Sequence, residues 1–164
     1  MKKILSALML CLVSIVNYGQ EIKVIESKFP IYQGVVSVEG SANDMYLKAR
    51  TWFAEAFRSA NDVIQMDDAT NATIIGKGNT IVGKGLMLAR FLFTIKIEGK
   101  DGRFRYTISV NDIHPTGGTN SLYNEAINHP KLYENCFAQF EQKVPEYVKQ
   151  IANTTINNPS DEDW

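Results

Sequence analysis

Two neighbouring stretches of the chain alternate between apolar and polar residues. In residues 90–98 (RFLFTIKIE), Phe91, Phe93, Ile95 and Ile97 fall on one parity. In residues 103–111 (RFRYTISVN), Phe104, Tyr106, Ile108 and Val110 do the same. A period of two marks a strand with one buried face. Between the stretches, residues 99–102 contain Asp-Gly, a favoured hairpin turn pair. The pattern predicts a hairpin whose two apolar rows lie on the same side, and that side needs a cover.

Two helices supply it. Residues after Ser41 carry Tyr46, Ala49, Phe53, Ala56, Phe57 and Ala60 at helical spacing, with Trp52 beside the stripe. Ser41 with Asp44 three places on, or Asn43 alone, can cap this helix. A second helix is expected from Pro130, a residue suited to a first turn. Its stripe is Tyr133, Cys136, Phe137, Phe140 and Val144, continued by Tyr147, Val148 and Ile151. Pro145 removes a backbone donor, which predicts a kink or a restart. Further strands are expected at 34–40, bounded by glycines, at 62–67 and at 72–78. Gly76 and Gly78 in the last of these point to a bulge or a close backbone approach. Asp68 to Asn71 supplies turn chemistry. A short helix at 121–127 is expected within the long 112–130 connection. The order predicts an α+β domain: an antiparallel sheet with two helices packed on one face, β-α-β4-α.

The N-terminus reads differently. Lys2 and Lys3 precede an apolar run from Ile4 to Val16, too short for a membrane-spanning helix and suited to a signal peptide. Small Gly19 sits before a cut that leaves Gln20 as the new N-terminus, although Asn17 is a poor residue two places earlier. A buried helix or retained anchor fits the run less well. Leu10 before Cys11 argues against a lipoprotein, because a small residue is needed there. The expected organisation is a signal peptide at 1–19, an N-terminal extension at 20–33, one α+β domain at 34–152 and a disordered acidic tail at 153–164. The expected location is periplasmic or extracellular, with no membrane span after signal removal. A domain of this size buries roughly 70% of its unfolded surface and needs no metal or disulfide staple. Loss of the two lysines shifts the formal charge from −1 to −3. That mildly acidic balance does not suit a nucleic-acid binder. Cys136 alone remains after processing, so no intrachain disulfide is expected; packing explains it better than reactivity.

Candidate chemistry is sparse. Residues 78–85 (GNTIVGKG) nearly match a phosphate-binding P-loop, but Gly85 stands where a hydroxyl is needed and a strand follows instead of a helix. His114 and His129, each before a proline, are expected in loops without metal-ligand spacing. His129 with Cys136 has no third orienting group for a nucleophile-base pair. Asp67 and Asp68 are expected to serve turns and caps, since strand neighbours point to opposite faces. Two glycosylation sequons, at Asn71 and Asn153, are taken as chance. No cofactor or metal site is expected. Ile81, Val82, Leu86, Met87 and Leu88 form an apolar connection that must cap the core or bind something. Opposite the phenylalanines of the hairpin lie Arg90, Lys96, Arg103 and Arg105, with Thr94, Thr107 and Ser109 among them. A solvated face, with Glu98 opposite Arg103 or Arg105 as an ordinary cross-strand pair, is the simpler reading. A docking face for an anionic ligand or a partner protein is the functional one.

Residues 45–52 (MYLKARTW), 75–78 (IGKG) and 100–106 (KDGRFRY) resemble the family called domain of unknown function 4468, described as having a TBP-like fold. The resemblance covers about residues 34–150. It implies a helix-grip-like β-α-β4-α architecture and membership among mostly exported bacterial proteins. It implies no activity. The functional expectation is therefore a non-catalytic exported binding module, using a sheet face or the apolar loop, whose partner is an unknown protein or an anionic small molecule. The alternative is a periplasmic hydrolase-like enzyme using the 112–130 loop and His114. A third reading is a scaffold component engaging a partner through its acidic tail or apolar loop. A pocket holding His114 and a carboxylate within hydrogen-bond reach favours the enzyme, and a continuous sheet face favours binding.

Overall fold

The computed structural model describes residues 23–25, 30–57, 60–84, 87–116 and 130–156. The expected signal peptide, the 121–127 helix, His129 and the acidic end of the tail lie outside the described residues. Six antiparallel strands are described: β1 (Lys23–Ile25), β2 (Ile31–Ser37), β3 (Ile64–Asp68), β4 (Thr73–Lys84), β5 (Met87–Lys100) and β6 (Arg103–Pro115). They form one sheet in the order β1-β2-β6-β5-β4-β3. Helix α1 (Ala42–Ala56) joins β2 to a single turn, α2 (Ala60–Val63), and α3 (Pro130–Asn153) closes the fold.

The expected architecture is present. The hairpin register sets Ile97 opposite Tyr106 and Ile95 opposite Ile108, so both apolar rows share one face. Gly102 takes a positive φ of 72° in the turn, a conformation glycine adopts without cost. On the covered face, Phe140 of α3 stacks on Phe91 with ring centroids 4.9 Å apart and meets Phe93 at 5.4 Å. Trp52 of α1 meets Tyr147 of α3 at 6.0 Å, and its indole N–H donates to Gln150 Oε1 at 3.1 Å, tying the helices together. Ser41 and Asp44 form a reciprocal capping box: Ser41 Oγ accepts from the Asp44 N–H, and Asp44 Oδ2 accepts from the Ser41 N–H at 2.7 Å. α3 runs through Pro145 without a break. Pro145 and Glu141, whose carbonyl loses its donor, are both exposed, so water can take the missing bond.

The differences have local causes. β2 spans 31–37, where the glycine boundaries predict 34–40. Gly34 lies inside the strand over the Tyr106 ring, and a Cβ there would sit 2.6 Å from the Tyr106 hydroxyl. β1, within the expected N-terminal extension, pairs with β2 from Ile31 to Gln33. Residues 79–84, expected as a connection, continue β4 in register with β5. Val82 is accordingly buried, while Ile81 and Leu88 remain exposed. Asp62 and Val63, expected in a strand, belong to α2. Finally, the β5–β6 register shifts between Leu92 and Phe93, leaving Asn111 as an extra residue on β6. Such a bulge reverses the parity after it. Val110 and Ile113 are therefore both buried, and His114 stands in a strand on the uncovered face, where the sequence suggests a loop.

Candidate functional site

The face opposite the helices is a set of cross-strand rows. One row runs Gln33, Thr107, Lys96, Ile75 and Met66; the next runs Val35, Arg105, Glu98, Thr73 and Asp68; a third holds Ser37, Arg103 and Lys100. Among the described residues no helix packs against these rows. Polar contacts on the face are local: Gln33 Nε2 donates to Thr107 Oγ1 at 3.1 Å, and Asn111 Nδ2 donates to Thr94 Oγ1 at 2.7 Å.

All four cations singled out from the sequence share this face. Arg103 and Arg105 lie together at the turn end. Lys96 is one row further along. Arg90 sits opposite His114, eight residues along β5 from Glu98, or about 27 Å at strand rise. It does not join the others. Lys100, which the sequence reading passed over, does join them. It stands directly opposite Arg103 and shares the parity of Lys96 and Glu98, the signal that would have found it.

Two local acids, Glu98 and Asp101, are committed elsewhere. Glu98 faces Arg105 in register, yet its carboxylate pairs along its own strand with Lys96 Nζ at 2.9 Å. Asp101 Oδ1 accepts from the Ala42 N–H at 2.8 Å, at the start of α1. Lys100, Arg103 and Arg105 make no ion pair among the described residues. Like charges set opposite one another, as Lys100 and Arg103 are, cost stability. With Val35 and Glu98 they line a shallow concavity of about 310 Å³. Val35 is 47% exposed, an apolar floor beside three cationic arms. An arginine pair of this kind suits carboxylate or phosphate oxygens.

The other sequence candidates resolve as follows. His114 Nε2 lies 3.1 Å from Asp112 Oδ2 on the same strand, and its Nδ1 is buried with no hydrogen-bond partner among the described residues. Neither the cationic concavity nor the two larger ones, beside Phe57 and beside Trp52, is lined by His114. Gly78 to Lys84 is strand, not a phosphate-binding turn before a helix. Cys136 is buried, and burial pushes its thiol up, away from the reactive thiolate. Asp68 holds the turn expected of it, accepting from the Asn71 N–H at 3.0 Å. Asp67 instead clamps β3 to α1, accepting from Tyr46 Oη and from Arg50 Nε. The Asp67 hydrogen bond in turn holds the Arg50 pKa up.

Fold and site together define a one-sided α+β sheet protein, helices on one face and a polar, partly cationic face opposite. Residues 32–113, half of the chain, match the family described as "Domain of unknown function (DUF4468) with TBP-like fold", and the protein belongs to that family. A crystal structure of a TBP-like protein from Parabacteroides distasonis ATCC 8503 is similar at 14% identity and a TM-score of 0.59, over 80% of this chain and 97% of that one. A DUF4468 family protein from Bacteroides ovatus ATCC 8483 is similar at 13% identity and a TM-score of 0.61, over 83% of this chain and 94% of that one. At these identities the likeness is one of fold. No curated protein matches the chain. Among the described residues no helix is long and apolar enough to cross a membrane.

Proposed function

We propose that the protein is a non-catalytic exported binding module whose working surface is the uncovered sheet face around Lys100, Arg103 and Arg105. One observation carries this reading. Three cations converge on an exposed concavity while Glu98 and Asp101 are held by other groups. A face evolved only for solubility gains from neutralising its charges across strands, and here Glu98 pairs along the strand instead. Export is supported by the charged start and apolar run of the first nineteen residues.

The second reading, a hydrolase-like enzyme using the 112–130 loop, is favoured by the Asp112–His114 pair. It is the weaker one. One imidazole nitrogen is turned to a carboxylate of its own strand and the other is buried, so neither is presented to an open cleft among the described residues.

The test is capture of partners from the exported fraction of the native cell, comparing the parent chain with the Lys100→Gln, Arg103→Gln, Arg105→Gln variant. The parent retains a partner whose binding weakens with salt, and the variant loses it while keeping the parent's thermal stability. Equal retention by both chains removes the sheet face from the reading. N-terminal mass analysis of the same exported material finds Gln20 first; an intact Met1 removes export by signal cleavage.

A further inference from the structure

The cationic concavity borders a sheet edge with backbone groups that no described residue takes up. The side to which each β2 residue turns its backbone follows from two hydrogen bonds. The Val110 N–H donates to the Pro30 carbonyl at 3.1 Å, and the Val38 N–H donates to the Gly102 carbonyl at 3.0 Å. Pro30 and Val38, both even, therefore face the β6 side. In an antiparallel strand the N–H and C=O of one residue point the same way and alternate along the chain. The odd residues Ile31, Gln33, Val35 and Ser37 therefore turn theirs outward. β1 takes up Ile31 and Gln33. Among the described residues nothing takes up Val35 and Ser37.

These two residues are also the β2 members of the rows that hold Arg105 and Arg103. Their side chains are small, and both are exposed. A strand laid along this edge lies about 10 Å from β6, two strand spacings away. Arginine arms reaching over a valine and a serine can meet carboxylates on that strand. Residues of an added strand opposite Val35 and Ser37 share the uncovered face, so acidic side chains at alternate positions meet Arg105 and Arg103 in turn. The edge itself carries no lysine or proline from Val35 to Ser37, the devices that commonly block strand addition.

We infer that the Val35–Ser37 edge of β2 accepts an extended acidic segment of a partner protein as an added strand, with its carboxylates on Arg103, Arg105 and Lys100. The inference rests on the uncovered sheet face being the binding surface, and it adds the mode of docking and the chemistry of the partner. Backbone bonds to Val35 and Ser37 supply register, and the cations select acidic over neutral strands. Charge complementarity argues against a second copy of this edge as the occupant, because its own rows bring arginine and lysine.

The probe is a synthetic peptide alternating glutamate with valine, capped at both ends and followed by fluorescence anisotropy on the whole exported protein. The parent binds it, and salt weakens the binding. Replacing every glutamate by glutamine lowers affinity by at least about tenfold, and Arg103→Gln with Arg105→Gln does the same. Two further arms isolate strand addition. A peptide N-methylated at the amides facing β2 loses binding by at least about tenfold. So does Ser37→Pro, which removes an outward N–H while leaving the cations and the β6 ladder in place. If N-methylation and Ser37→Pro leave affinity unchanged, the cations bind the anion without an added strand; the inference falls and the sheet-face reading stands. If no peptide binds the parent although the Lys100, Arg103 and Arg105 variant still loses its native partner, the inference falls alone. If Glu21→Cys and Val35→Cys join spontaneously in a disulfide, the chain's own N-terminal segment fills the edge, and that also overturns it.

Discussion

Gly76→Ala tests how the covered face is packed. A Cβ at Gly76 would lie 2.3 Å from Phe53 Cε1, 2.7 Å from its Cζ and 2.9 Å from its Cδ1, where ordinary contact begins at 3.4 Å. The ring must retreat by about an ångström and has nowhere to go. Phe53 is fully buried, with Trp52 edge-on at 5.1 Å and Phe57 stacked at 5.9 Å. Overpacking of this kind costs about 1–3 kcal/mol. Alanine returns about 0.4–1 kcal/mol by narrowing the unfolded ensemble. The expected net loss is about 1–2 kcal/mol, read as a lower urea midpoint at unchanged slope. Phe53→Leu alone also destabilises, but combined with Gly76→Ala it costs less than the two losses added, because the smaller side chain makes room for the methyl. A Gly76→Ala variant as stable as the parent, or strict additivity in the double variant, would falsify the steric account of this glycine.

Three further predictions concern the same scaffold. Cys136→Ala removes a buried sulfur from the α3 stripe and costs about 1 kcal/mol without loss of folding; failure to fold, or folding that depends on oxidant, contradicts this. Hydrogen bonds from the Ser41 backbone and hydroxyl hold the Asp44 carboxyl below its ordinary 3.8, and those from the Asn71 side chain and backbone do the same for Asp68. A depressed folded pKa means that their contribution is complete above 3.8 and fades as pH falls through the lowered values, so carboxyl titration by NMR finds both midpoints below 3.8. At the other limb, burial and then Glu141 push Tyr32 from 10.0 up to about 12, so the neutral phenol's contribution is lost as pH climbs through that interval.

What the sequence made legible depended on whether one residue or a geometry carried the signal. The hairpin was readable because Phe91 to Ile97 and Phe104 to Val110 keep strict alternation against a turn that only a few residue pairs allow. The α1 cap was readable because Ser41 and Asp44 have the spacing of reciprocal capping. Gly76 and Gly78 announced a close approach, though not that Phe53 and Phe93 were the nearest rings. Gly34 misled for the same reason: its missing Cβ serves the Tyr106 ring, while its place in sequence imitates a strand boundary. The Asn111 bulge has no compositional mark, and it alone decides that Asp112 and His114 lie on the uncovered face. Parity placed the cations on one face but could not group them. Arg90 shares parity with Lys96 and is two rows beyond the bulge from the others, whereas Lys100 sits among them. Nor could parity decide whether Glu98 would choose Lys96 along the strand or Arg105 across it, because both lie within reach of its side chain.

On the proposed function the uncovered sheet face, rather than the helix layer, meets the partner. The most direct measurement is a map of backbone amide shifts in isotopically labelled protein as the partner captured from the exported fraction is titrated in. The largest shifts are expected at Val35, Ser37, Lys100, Arg103 and Arg105, with little change on the exposed side of α3 at Glu141, Glu146 and Lys149. Shifts concentrated on α1 and α3, with the turn end of the sheet unmoved, would contradict it.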